Sequence, residues 1–496
     1  MDEIAYQNVS LSYFYPVKFR LATLIFTMVS TLSAQHADSL IFEKIMEEAL
    51  IKGESYQRLG ELCKTIGPRL SGSDQAEKGV YWAYSMLKSY GFDSVFHQPV
   101  MVPRWERGKV ESLFFSSSVF SKKIKSGIPA NYNCEAFEEQ KLKPSKSYKI
   151  QACALGGSIG TKGVLQGEII VVHNKNEMHE LGKNGKLKGK IVLLNQAFYE
   201  GNINTFASYG ACVGQRYMGA VDLAKYGAIA VLVRSMTNRC DLHPHTGSMA
   251  YVDSVPKIPA MAVASAVANL LDQMAKEDPL LKISMQMDCK WLPDRMSANT
   301  IAQTNGSLFP NKFIAFGGHF DSWDEGEGAH DDGAGCMHAF EALRILKSIG
   351  YIPRHSLRCV WWINEENGLR GAMEYAKLAK ENGEIHVAAL ESDRGGFTPR
   401  GFSLDSAAMA FTIPYKKYLD AYGIGTLEKG GGGADIGPLK RNDPNTQLVG
   451  FIPDSQRYFD IHHAETDVFE SVNKRELELG AAAVAIMIYI LDQNLD

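Results

Sequence analysis

No two of the eight cysteines form a Cys-x-x-Cys pair, which excludes a zinc knuckle or a thioredoxin-type redox motif. Cys63, Cys134, Cys153, Cys212, Cys240, Cys289, Cys336 and Cys359 are widely spaced, a pattern that suits buried thiols with at most one or two disulfides. Charge of one sign is also lacking, since 52 Lys and Arg against 56 Asp and Glu leave a net charge of −4. Nothing gathers nucleic acid or an acidic membrane by long-range attraction, so no nucleic-acid partner is expected. There is no internal repeat, and no low-complexity stretch beyond Gly430 to Gly433. Those glycines precede Ala434-Asp435 without the Lys-Ser/Thr of a P-loop, so a mobile loop at a cleft mouth is expected there. Beyond Ala34 no apolar run approaches the ~20 residues that span a membrane.

What is present is an ordinary globular balance, 45% hydrophobic and 22% charged over 496 residues, enough for more than one domain. Lys18 and Arg20 precede the apolar run Leu21 to Leu32, and the small residues Ser33-Ala34 follow. This reads as a signal peptide over 1–34, giving a secreted protein, extracellular or periplasmic. Residues 35–150 then form the N-terminal part of a main domain, with helical periodicity at Ile41, Phe42, Ile45, Met46, Ala49 and Leu50. The loop Gly67-Pro68-Arg69-Leu70-Ser71-Gly72-Ser73 opens a second helix. Across 151–290 short β-branched strands broken by glycine predict an inserted β-rich domain. Residues 291–496 alternate strand, loop and helix: Lys312 to Gly318, Ser356 to Ile363 and His386 to Leu390 read as strands, Gly333 to Ile349 and Leu369 to Glu381 as helices. The fold class is α/β, a mostly parallel twisted sheet flanked by helices.

Open α/β sheets carry their sites at the C-terminal ends of the strands. There the sequence delivers His319-Phe320-Asp321, Asp331-Asp332-Gly333, Glu365-Glu366, Glu391-Ser392-Asp393 and His462-His463. Each alone is unremarkable, a cap or a solvated loop residue. Together they mix hard carboxylate oxygens with imidazole nitrogens, the donors of zinc or a related divalent ion. Two His and three carboxylates suffice for a pair of ions if one Asp bridges, and they leave a small positive surplus that favours a hydroxide. Adjacent glutamates at a strand end point in different directions, so one of Glu365 and Glu366 can bind metal while the other handles a proton. His243-Pro244-His245 lies far away in sequence and reads as a loop. Asn305-Gly306-Ser307 is a glycosylation sequon only in a eukaryotic source.

Gly317-Gly318-His319-Phe320-Asp321-Ser322-Trp323, Asp331-Asp332-Gly333-Ala334-Gly335, Asn364-Glu365-Glu366-Asn367-Gly368, Glu391-Ser392-Asp393 and His462-His463 resemble, in order, the metal-site segments of the co-catalytic zinc aminopeptidase family. Trp323 and the Gly67 to Ser73 loop resemble one branch of it, and residues 151–290 resemble the protease-associated domain some members carry. The resemblance spans roughly residues 40 to 490. It implies two zinc ions per chain, with His319 and Asp393 on one, Glu366 and His463 on the other, and Asp331 bridging. Glu365 would be the general base and acid, and Asp321 would orient His319. Family spacing, with an acidic residue four positions on at Asp467, selects His463 over His462. Two departures stand out: His330 just before the bridging Asp, where a solvated or capping role is expected, and Glu465-Thr466-Asp467-Val468 after the last ligand. The implied activity is hydrolysis of dipeptides or short peptides, and a homodimer is compatible with it. The rivals are a catalytically silent receptor or binding protein of the same architecture, and a zinc acyltransferase or cyclase on the same fold.

Overall fold

The computed structural model describes residues 38–125 and 145–495; the expected signal peptide and Cys134 lie outside them. Among the described residues no helix is long and apolar enough to cross a membrane. The seven described cysteines form no disulfide, and all but Cys240 are buried.

Two eight-stranded sheets organise the chain. The first has the order Ser94–Glu106, Lys290–Thr304, His355–Trp362, Phe309–His319, Ile385–Glu391, Gln447–Pro453, Pro399–Leu404, Thr426–Lys429. Its four inner strands, from His355–Trp362 to Gln447–Pro453, are parallel, and antiparallel pairings flank them on both sides. The centre is therefore parallel as expected, while the whole sheet is mixed. Alternation along Phe309–His319 explains why both faces are covered. Ile314 and Phe316 face a core containing the helices Ala334–Ser348 and Lys474–Asn494, whereas Ala315 faces one built on Arg370–Glu381 with Trp362 and Tyr375.

Ser94–Glu106 and Lys290–Thr304 pair antiparallel from Ser94 with Gln303 to Glu106 with Lys290. The chain leaves the first sheet at the end of one and re-enters at the start of the other. Between them lies the second sheet, whose strand Glu111–Ser116 pairs with Lys282–Met287 and Tyr148–Ile150. It thus takes up chain ahead of residue 151, where the glycine-broken texture begins. Its centre, Leu165–Val172, Ile191–Leu194, Ala230–Arg234 and Ala260–Val263, is parallel. It carries helices too: Lys175–Lys183 links the parallel strands Leu165–Val172 and Ile191–Leu194, and Ser265–Glu277 leads from Ala260–Val263 to the antiparallel strand Lys282–Met287.

Candidate metal centre

Register sets the site. In the parallel centre His319 pairs with Trp362 and Gly317 with Glu391, so the three strand ends release His319, Asn364-Glu365-Glu366 and Asp393 at one level. Ala329–Gly333, the turn ahead of Ala334–Ser348, brings in Asp331, and the loop after Gln447–Pro453 brings in His462 and His463.

Asp331 lies between the two imidazoles. Its Oδ1 is 3.2 Å from His319 Nε2 and its Oδ2 is 3.2 Å from His463 Nε2. On the first side Asp393 Oδ1 is 3.5 Å from His319 Nε2; on the second, Glu366 Oε2 is 3.2 Å from His463 Nε2. The five residues named from the sequence are thus brought together, His319, Asp331, Glu366 and His463 buried and Asp393 partly exposed. Glu365 shares a cavity of about 270 Å³ with all five. His462 stacks on His463 at 3.6 Å between ring centroids and stands 3.6 Å from Asp331 Oδ2.

The donor set suits divalent cations. Asp331 Oδ2 and Glu366 Oε1 are buried without a well-formed hydrogen bond, and three overlapping groups could each hold an ion: His319 with Asp331 and Glu366, His319 with Asp332 and Asp393, and Asp331 with His462 and His463. Charge points the same way. Burial works against a cation on His463, yet Glu366 and Asp331 raise its pKa to about 9, and Asp393 and Asp331 push His319 well above the imidazole range in spite of burial. Burial raises Glu366 to about 7 and Glu365 well above the carboxylate range, reinforced by neighbouring carboxylates. The pocket favours positive charge at its centre and a proton on Glu365 at its wall.

The supports differ in part from expectation. His319 Nδ1 meets the backbone carbonyl of Asp321 at 2.8 Å, while the Asp321 carboxylate is 4.0 Å away. That carboxylate instead accepts the backbone N–H groups of Asn364 (2.7 Å) and Glu365 (3.0 Å), and so aims the glutamate pair. Asn364 adopts φ 73°, a left-handed conformation that asparagine tolerates. Asp467 uses both oxygens on the N–H groups of His330 (2.8 Å) and Asp331 (3.1 Å), bracing the Asp331 turn. Asp332, unassigned from the sequence, accepts from His319 N–H and Gly335 N–H at 3.1 and 3.0 Å. A Cβ on Gly318 would stand 2.0 Å from its carboxylate, which only glycine avoids.

Several outlying residues also prove relevant. Arg69, in the Gly67 to Ser73 loop, donates to the carbonyls of Phe320, Glu327 and Gly328, fixing the loop that follows His319. His330 is buried, stacked 4.3 Å from Phe397 with Nδ1 accepting from Gly396 N–H. Burial lowers its pKa to about 4, so it is a neutral packing group, neither solvated nor a cap. The His243 to His245 segment, distant in sequence, lies beside the metal loop: His243 Nδ1 is 2.7 Å from Glu465 and Thr246 N–H donates to the His463 carbonyl at 2.9 Å. The glycine loop closes on Glu391, and a Cβ at Gly433 would stand 2.2 Å from that carboxyl carbon.

Comparison with known proteins agrees with this architecture. A family model described as Peptidase family M28 matches residues 299–485. Carboxypeptidase Q of Homo sapiens is 33% identical over 445 residues, covering 89% of this chain and 85% of that protein; the Xenopus laevis protein is 32% identical over 474 residues, 94% and 92%. A solved peptidase M28 precursor from Shewanella amazonensis superposes with a TM-score of 0.81 at 28% identity, over 92% of this chain and 97% of that one. A zinc aminopeptidase from Bacillus subtilis shares the fold with a TM-score of 0.60 at 18% identity, over 89% and 95%. With identity above 30% over most of both chains and the metal-site segments in order, this chain belongs to peptidase family M28, the co-catalytic zinc aminopeptidase family, and is a metallopeptidase.

Proposed function

We propose that the protein is a secreted, zinc-dependent exopeptidase that hydrolyses dipeptides and short peptides. The observation carrying this reading is the Asp331 carboxylate, which presents one oxygen to each of two imidazoles that have separate carboxylate partners. His319 and Asp393 would hold one zinc ion, Glu366 and His463 the other, with Asp331 shared. Bound there, the ions would supply a polarised scissile carbonyl and a water of lowered pKa.

The chain's own residues do the rest. Glu365, aimed by the Asp321 carboxylate through two backbone N–H groups, takes a proton from the attacking water and returns it to the departing amine nitrogen. Desolvation raises its pKa in the cavity, and cations bound beside it would lower it again, so that it can accept a proton in one step and give it up in the next. Phe206, Tyr209, Tyr458 and Phe459 wall the cavity and restrict water. The unit between Glu106 and Lys290 is read as a protease-associated domain, with its segment 243–248 packed on the metal loop. All five proposed ligands and Glu365 are present, which weighs against a silent receptor.

Dialysis against a strong chelator should abolish release of free amino acids from a panel of dipeptides, and added zinc should restore it. Persistence of activity in metal-free protein would refute the reading.

A further inference from the structure

The cavity holds one cation that this chemistry does not use. Arg216, on the short helix Gly214–Tyr217 of the second-sheet unit, is 5% exposed and lines the same space as His319, Glu365 and Asp393. Its Nη2 donates to Tyr209 Oη at 2.7 Å. The other contacts are long: Ser248 carbonyl 3.3 Å, Thr246 carbonyl 3.4 Å and His463 Nδ1 3.3 Å. Among the described residues no carboxylate forms an ion pair with it. A buried guanidinium normally has a counter-charge, and its planar fork matches a carboxylate through two parallel hydrogen bonds.

The missing partner is therefore an anion that enters the cavity. A single imidazole, that of His463, separates the guanidinium from Asp331 and Glu366. One residue of peptide spans about 3.5 Å, so the carboxylate of the residue just after the scissile bond falls in range. The cavity, about 270 Å³, is below the ~300 Å³ from which drug-sized sites begin. We propose that Arg216 binds the free C-terminal carboxylate of the substrate, so that the enzyme releases a single C-terminal residue and is best matched to dipeptides. This rests on the metallopeptidase reading above and adds which end of the peptide is recognised.

The test compares zinc-loaded wild type, Arg216→Gln and Arg216→Lys on Leu-Ala, Leu-Ala amide and Leu-Asp amide. Wild type should favour Leu-Ala over Leu-Ala amide by about 100-fold in kcat/KM, the scale of an unpaired buried charge. Arg216→Gln should lose most of that preference through a raised KM on Leu-Ala, with kcat less affected, and Arg216→Lys should retain part of it. Equal turnover of Leu-Ala and its amide by wild type would overturn the inference while leaving the peptidase reading intact. So would undiminished preference in a folded Arg216→Gln protein, or Leu-Asp amide turned over as well as Leu-Ala, which would mean a side-chain carboxylate is read instead. Cleavage of none of the three would sink the peptidase reading and this inference together. If the variants do not fold, equal turnover of Leu-Ala and Leu-Ala amide by wild type would still overturn the inference.

Discussion

Two neighbouring histidines meet Asp331 in different company. His463 Nε2 contacts both Asp331 and Glu366 at 3.2 Å, while His462 stacks against it and approaches only Asp331. His463 takes φ 63°, a left-handed conformation unusual for histidine, while its ring stays stacked on that of His462. His463→Ala should therefore lose about one equivalent of zinc and nearly all activity, and His462→Ala should keep both ions and part of the activity. Metal content by atomic emission discriminates the two, and the opposite pattern would transfer the ligand role to His462. At this scale the sequence was informative because ligand types are few and strand ends concentrate them. Arg216 and Asp332 were not legible, since the importance of each depends on what folds against it. An arginine in a helix has no sequence signal for facing a cavity.

At the level of elements, loops make the site and other loops brace them. Three backbone carbonyls converge on Arg69, and the Asp467 carboxylate receives two N–H groups from the turn that holds Asp331. Such charged hydrogen bonds contribute about 1.5–3 kcal/mol each. Asp467→Asn keeps the shape but can accept through one oxygen only, so an N–H would face an amide NH₂. Its expected effect is a 10- to 100-fold weaker zinc affinity, the scale seen when a ligand loses its support, with circular dichroism unchanged; chelator competition measures it. The inner strands and the helices Ala334–Ser348 and Arg370–Glu381 agree closely with the periodicity reading, because apolar runs bounded by glycine and polar clusters mark them. The reach of the second sheet to Glu111–Ser116 was not legible, because a short strand pairing across a long sequence separation leaves no local pattern. The fate of His330 was equally hidden, as stacking on Phe397 follows from tertiary contact.

Across the whole molecule, the second-sheet unit completes the site and does more than decorate it. Trp323 sits between the sheets, its ring 5.9 Å from that of His463, and a Cβ on Gly156 would collide with it at 1.7 Å; Arg107 ties the junction to Asp324 and Glu325. The signal peptide expected over residues 1–34 bears on where the protein works. A secretory host should yield a mature chain beginning near Gln35, and N-terminal sequencing that found Met1 retained would contradict export. The proposed hydrolysis requires Glu365 to move protons without binding metal. Glu365→Gln should retain close to the wild-type zinc content while losing at least about 100-fold in turnover of a dipeptide. Parallel metal analysis and amino-acid release on that one variant test this most directly: inactive protein that still holds its zinc is the predicted result, and either zinc-stripped protein or wild-type activity would contradict it.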